Sequence, residues 1–223
     1  MKGLNAVKER ISGALVLFGI VAAGLMAGCT PVSGQPTRAV ALAAPAGRET
    51  ATFAAGCFWS MEAIFKQLRG VDKVLPGYSG GTLRNPSYEQ VETGSTGHAE
   101  SVRIVFDPKV ITYRQLLRVL LTTRNPTTPN QQGPDAGPQY RFIIFYNGSE
   151  QKREAQEVMA LTSGAHIWGA PLSVELKPAT AFYRAEDYHL DYYRLHPDES
   201  YCKYVIAPEI AEFRSKFRKE LKQ

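Results

Sequence analysis

The chain has 223 residues, of which 44% are hydrophobic and 21% charged, the ordinary make-up of a globular protein. Its net charge is +5, but Lys2, Lys8 and Arg10 against Glu9 leave only +3 for the rest, with no dense basic cluster between Arg48 and Cys202 to bind nucleic acid. Three cysteines exclude both a disulfide framework and a four-thiolate zinc site.

The basic start is followed by a continuous apolar stretch over 11–27, ending in Leu25-Met26-Ala27-Gly28-Cys29. A basic head, an apolar middle and small residues before a cut site describe an export signal. The run is also close to the length that spans a bilayer, so an uncleaved anchor is the alternative. Met26-Ala27-Gly28-Cys29 resembles a bacterial lipoprotein box, which makes Cys29 the expected lipidation site. Residues 30–48, rich in Pro, Ala, Gly, Ser and Thr without a period, read as a flexible linker. The expected layout is therefore a signal peptide over 1–29, a linker over 30–48 and one catalytic domain over 49–223. The protein is expected in the periplasm or cell envelope as a membrane-anchored lipoprotein.

Within the domain, 50–55 is a short apolar strand, and 57–68 has helical spacing through Phe58, Met61, Ile64, Phe65 and Leu68. Residues 77–86 carry three glycines and read as a loop. Residues 99–106 form a strand stopped by Asp107-Pro108. Thr112 with Gln115 resembles a capping box, opening a helix with Tyr113, Leu116, Leu117, Leu120 and Leu121 on one face. Residues 125–139 hold four prolines and two glycines in fifteen positions, a loop long enough to be functional. A strand follows over 141–146, a helix over 149–163, a strand over 172–176, and helices over 185–195 and 208–222. Strands and helices interleave without a steady βα beat, so the fold class is α+β, a sheet covered by helices.

Cys57 falls where the first strand hands over to a helix. Unpaired N–H groups and the partial positive charge of a first helical turn favour a thiolate, so its pKa is expected below the free value of about 8.5. Gly56 lets the chain turn there. Other uncommon groups also sit at element ends: Thr96-Gly97-His98-Ala99-Glu100, Asp135 to Arg141, Glu186-Asp187-Tyr188-His189 and Ser200-Tyr201-Cys202.

Taken in order, Gly56-Cys57-Phe58-Trp59, Gly77-Tyr78-Ser79-Gly80-Gly81, Asn85-Pro86-Ser87-Tyr88, Thr96 to Glu100, Gln139-Tyr140-Arg141 and Glu186 to His189 resemble the peptide methionine sulfoxide reductases of the A type. The resemblance spans 51–202 and implies a mixed sheet with packed helices, a ferredoxin-like two-layer sandwich. It also implies reduction of the S epimer of methionine sulfoxide, in proteins and in the free amino acid. On this likeness Cys57 is the nucleophile, Glu100 the proton donor and Cys202 the thiol that closes a disulfide. Tyr88 and Tyr140 would hydrogen-bond the sulfoxide oxygen, Asp135 would position substrate or water, and Phe58 and Trp59 would hold the methyl group. No metal or cofactor is implied, only a thioredoxin-like protein as electron donor, and a monomer is expected. The sequence departs from the family's pattern at Asn125, where an acidic residue is expected, and at Phe142, where a small polar one is common.

Two other readings follow from the residues themselves. Cys57 could work with His98 or His189 in acyl transfer, which needs a histidine within hydrogen-bond reach of the sulfur and no carboxylic acid facing it. Alternatively the chain is a binding lipoprotein with inherited, inactive motifs. His98 and His189 are otherwise expected to be hydrogen-bonded structural groups, and His166 and His196 stand outside any motif.

Overall fold

The computed structural model describes residues 38–40 and 44–223. The expected signal segment and Cys29 lie outside the described residues. Among the described residues no helix is long and apolar enough to cross a membrane.

In chain order the elements are β1 (Ala39–Val40), β2 (Glu49–Ala54), α1 (Phe58–Phe65), β3 (Val71–Ser79), α2 (Tyr88–Glu92), β4 (Ala99–Phe106), α3 (Tyr113–Thr123), β5 (Gln131–Gln132), β6 (Asp135–Ala136), β7 (Ile143–Tyr146), α4 (Ser149–Gly164), β8 (Glu175–Pro178), β9 (Phe182–Arg184), α5 (Tyr192–Leu195) and α6 (Ala207–Lys216). Among the described residues, seven strands form one mixed sheet in the order β1-β9-β3-β4-β2-β7-β8. Within it only the β7–β8 pair is parallel. The α+β class read from the sequence is the observed one.

One face of the sheet's centre is apolar, while Thr50, Thr52, Ser101 and Arg103 line the other. Phe53 of β2 and Val102, Ile104 and Phe106 of β4 are fully buried, and α1 adds Phe58, Met61, Ile64 and Phe65. Side chains of this size stabilise by roughly 1.5–3 kcal/mol each when removed from water. Helix α3 starts as its sequence dictates: Thr112 Oγ1 accepts the Gln115 N–H at 3.2 Å, and Gln115 Oε1 accepts the Thr112 N–H at 2.8 Å. Its buried face contains the five expected residues and Val119.

Four expectations are corrected. Gly77-Tyr78-Ser79, expected in a loop, ends β3, pairing with Ser101, Glu100 and Ala99 of β4. Gly77 is there because the next strand approaches too closely for a side chain: a Cβ would lie 2.3 Å from Tyr183 O. The expected strand over 172–176 begins at Glu175, since Ser173 N–H is already bonded to Pro126 O. The expected helix over 185–195 is broken at Asp191, whose φ of +55° is left-handed. Lys66 Nζ bonds its carboxylate at 2.6 Å and Glu62 Oε2 accepts its N–H at 3.0 Å, which holds it there. Finally, within the expected linker, Ala39 and Val40 pair with Tyr183 and Phe182 as an edge strand.

Candidate active site

The strand-to-helix handover is built around Gly56, with φ +81°. A Cβ on it would lie 2.6 Å from Gln132 Cβ and 2.8 Å from Arg124 Nη2, so both its conformation and its surroundings require glycine. Cys57 follows as the N-cap residue of α1. Its thiol is buried and free, and the Trp59 and Ser60 N–H groups point at it.

Burial nevertheless pushes the Cys57 thiol well above its ordinary range, and the neighbouring Glu100 charge pushes it further. The two N–H groups oppose this and lose. The expected fall in pKa is therefore wrong in direction: a first helical turn is visible in a sequence, whereas complete desolvation is not. Burial thus favours the protonated thiol over the thiolate.

Glu100 comes from β4, where it pairs with Tyr78 of β3. It is 2% exposed, and its Oε2 accepts the Phe58 N–H at 2.9 Å. Burial raises its pKa well above the carboxylate range; the Phe58 bond, which favours the charged form, offsets only part of that. Cys57 and Glu100 thus stand side by side, both biased to hold their protons.

Three hydroxyls gather around them. Tyr88, the first residue of α2, is fixed by its N–H to Glu186 Oε1 at 2.9 Å, and its phenol feels Glu100 and Cys57 after burial. Tyr140 donates to both oxygens of Glu92 at 3.2 Å, so in this state it is committed to a carboxylate. Asp135, in β6, accepts the Tyr201 hydroxyl at 2.6 Å. Tyr201 also faces Cys57, whose charge comes second to burial in raising its pKa.

The apolar side is made by rings. Phe58 is fully buried, 5.8 Å from Tyr78 and 4.9 Å from His189 between centroids. Trp59 is half-buried and stacks on Tyr192 at 3.8 Å, while its Nε1–H donates to His189 Nδ1 at 3.1 Å. Burial lowers the His189 pKa to about 4, which keeps the ring neutral and able to accept that bond. His98 accepts the Gly81 N–H on Nδ1 at 3.1 Å and bonds Leu83 O through Nε2 at 2.8 Å. Both histidines are thus structural groups, as expected, and both nitrogens of His98 are engaged away from Cys57.

The structure brings Cys57, Glu100, Phe58, Trp59, Tyr88, Asp135 and Tyr140 into one electrostatically connected group. Cys202 is a free thiol, fully buried, in the apolar core cluster that also holds Phe58, Ile206 and Ile210. Sequence reasoning gave no role to Tyr201, Glu92, Glu186 or Arg124. The available signals were the motif Glu186 to His189 and the position of Tyr201 beside Cys202.

The model of the family described as peptide methionine sulfoxide reductase matches residues 49–221. Among curated proteins, "Peptide methionine sulfoxide reductase MsrA" of Sulfolobus acidocaldarius is 52% identical over 169 residues, covering 76% of this chain and 95% of that protein. A protein of the same name from Thermus thermophilus is 49% identical over 174 residues, 78% of this chain and 98% of that one. Among solved structures, methionine sulfoxide reductase A of Corynebacterium diphtheriae superposes with a TM-score of 0.65 at 31% identity, covering 77% of this chain and 85% of that one. Reduced Mxr1 of Saccharomyces cerevisiae also gives 0.65, at 30% identity, over 71% and 91%. With these likenesses over a sheet that sets a thiol beside a buried carboxyl, the chain belongs to the A-type peptide methionine sulfoxide reductase family and has that family's peptide-methionine (S)-S-oxide reductase activity.

Proposed function

We propose that Cys57 is the nucleophile and Glu100 the acid of this reduction. The carrying observation is the Phe58 N–H bond to Glu100 at 2.9 Å, which holds the carboxyl next to Cys57. The Cys57 sulfur attacks the sulfoxide sulfur, forming an S–S bond, while Glu100 gives its proton to the oxygen, a poor leaving group unless protonated, and takes up the proton of the Cys57 thiol in exchange. The methionine S–O bond then breaks as the protonated oxygen moves to the Cys57 sulfur, the transient S–S bond breaks, and methionine leaves with Cys57 as a sulfenic acid. Two electrons move from the Cys57 sulfur to the methionine sulfur, and Glu100 ends protonated with the proton it received from the Cys57 thiol. Tyr88 and Tyr140 bond the sulfoxide oxygen, Tyr140 by exchanging its bond to Glu92, and Asp135 orients the site through Tyr201. The rings of Phe58 and Trp59 form the apolar side for the methyl group.

Cys202 then resolves the sulfenic acid to a disulfide, and a thioredoxin-like protein returns the electrons. Free methionine sulfoxide is reduced as well as the residue in oxidised proteins. The basic head, apolar run and Cys29 support a signal peptide over 1–29, a linker and an exported, lipid-anchored enzyme of the envelope. Mass spectrometry of the mature N-terminus tests that anchor; any first residue other than Cys29 removes it. Acyl transfer through Cys57 is disfavoured because Glu100 stands next to Cys57, the condition that reading excluded, and His98 is engaged elsewhere.

The test of the chemistry is dabsyl-methionine S-sulfoxide with dithiothreitol. Turnover is expected for the wild type and none for Cys57→Ser; an active Cys57→Ser enzyme overturns the proposal. Cys202→Ser is expected to complete one turnover and then fail to recycle with a thioredoxin-like donor.

A further inference from the structure

One guanidinium ties together the two segments that carry the thiols. Arg124, which follows α3, has a side chain only 2% exposed. Its Nε–H donates to Ala55 O at 2.9 Å, two residues before Cys57. Its Nη1–H donates to Ser60 Oγ at 3.0 Å, in the first turn of α1, and to Glu209 Oε2 at 2.6 Å. The Ser60 hydroxyl donates to the same Glu209 oxygen. Glu209 lies in the first turn of α6, which continues without a break from a π-helical turn over Cys202–Ile206. The Arg124 charge also acts on Asp135, the partner of Tyr201.

A buried cation needs a counter-ion, and Glu209 supplies one. Its location adds a second consequence. The side chain that now faces Cys57 is Tyr201, and Cys202 sits in the core. Closing a disulfide puts Cys202 rather than Tyr201 against Cys57, and the wide π turn is the place where a helix can rewind. With α6 pinned through Glu209, the rewinding is confined to that turn and Cys202 searches a small volume around Cys57.

We propose that Arg124 and Glu209 are positioning residues that hold the Cys202 segment in register with Cys57 for disulfide closure. The inference rests on the reading of Cys202 as the resolving thiol. In that step the Cys202 sulfur attacks the sulfur of the Cys57 sulfenic acid. The S–S bond forms and the S–O bond breaks. The oxygen leaves as water, carrying its own hydrogen and the proton from Cys202. The Cys57 sulfur is reduced by one level and the Cys202 sulfur oxidised by one.

The experiment uses reduced, full-length protein mixed with excess methionine S-sulfoxide without a reductant, quenched over time. Methionine is counted, disulfide is followed on the peptides, and the Cys57 sulfenic acid is trapped with dimedone. For Glu209→Ala, methionine formation at the wild-type rate is expected, with disulfide closure slowed about tenfold or more and a matching rise in trapped sulfenic acid. Glu209→Gln, which keeps an acceptor for Arg124, is expected to recover part of the closing rate, and carries the test if the alanine variant does not fold. Closure at the wild-type rate in the variants overturns the proposal. Equal slowing of methionine formation and closure also overturns it, since the pair would then merely support the fold. Failure of the wild type to form methionine, or to form a Cys57–Cys202 disulfide, removes the underlying reading instead.

Discussion

The backbone amide of Phe58 and the carboxyl of Glu100, 42 positions apart in sequence, meet in a 2.9 Å hydrogen bond. It joins the first turn of α1 to the sheet and brings the buried carboxyl to the thiol. A charge on Glu100 discourages Cys57 from ionising.

That coupling has a direct readout. Glu100→Gln removes the anion that raises the Cys57 pKa but leaves the desolvation in place. Alkylation of Cys57 by iodoacetamide, followed on its own peptide against pH, is expected to have a midpoint above the free-cysteine value of about 8.5 in the wild type. In Glu100→Gln the midpoint is expected to move down while staying above that value. A midpoint near neutrality in the wild type would mean that the helix N-terminus outweighs burial after all.

Gly56 is expected to tolerate no side chain. Gly56→Ala combines a left-handed backbone with overlap on Gln132 and Arg124, and is expected to cost about 1–3 kcal/mol of stability from the backbone strain alone. Urea unfolding of the reduced protein measures this. An unchanged midpoint would show that the loop over 125–137 yields to the added methyl.

Trp59 is oriented by a histidine that must be neutral. The His189 pKa of about 4 lies below its unfolded value of about 6.5. Its contribution to stability is therefore complete above pH 6.5 and is lost as the pH falls towards 4. In single-turnover measurements, substrate affinity is expected to be flat with respect to this group from pH 6 to 8 and to weaken near pH 4. His189→Ala is expected to raise KM several-fold, through loss of the 3.1 Å bond to the indole. A pH-independent affinity down to pH 4 would detach His189 from substrate binding.

Much of this site could be read from residue order. The handover at Cys57, the strand that carries Glu100 and the capped helix opened by Thr112 all have local signatures, and each lies where it was expected. Features set by distant neighbours were not legible. Gly77 reads as a loop residue until Tyr183 is seen pressing on it, and the left-handed Asp191 depends on Glu62 and Lys66 more than a hundred positions away. The Cys57 pKa was misjudged for the same reason, because its largest cause is the exclusion of water by the whole fold. Tyr201 was adjacent in sequence to a marked cysteine, yet which of the two would face Cys57 is decided by the helical register of 201–206.

The pairing of nucleophile and acid is tested most directly by single-turnover chemistry in a Cys202→Ser background, where the resolving step cannot intervene. Reduced enzyme is mixed with excess methionine S-sulfoxide and quenched over time, and methionine and the mass of the Cys57 peptide are measured together. One methionine per chain is expected, with a Cys57 peptide heavier by one oxygen and a rate about 10²- to 10⁴-fold lower when Glu100→Gln is added. Equal rates with and without Glu100, or methionine formed while the Cys57 peptide gains no oxygen, would contradict that pairing.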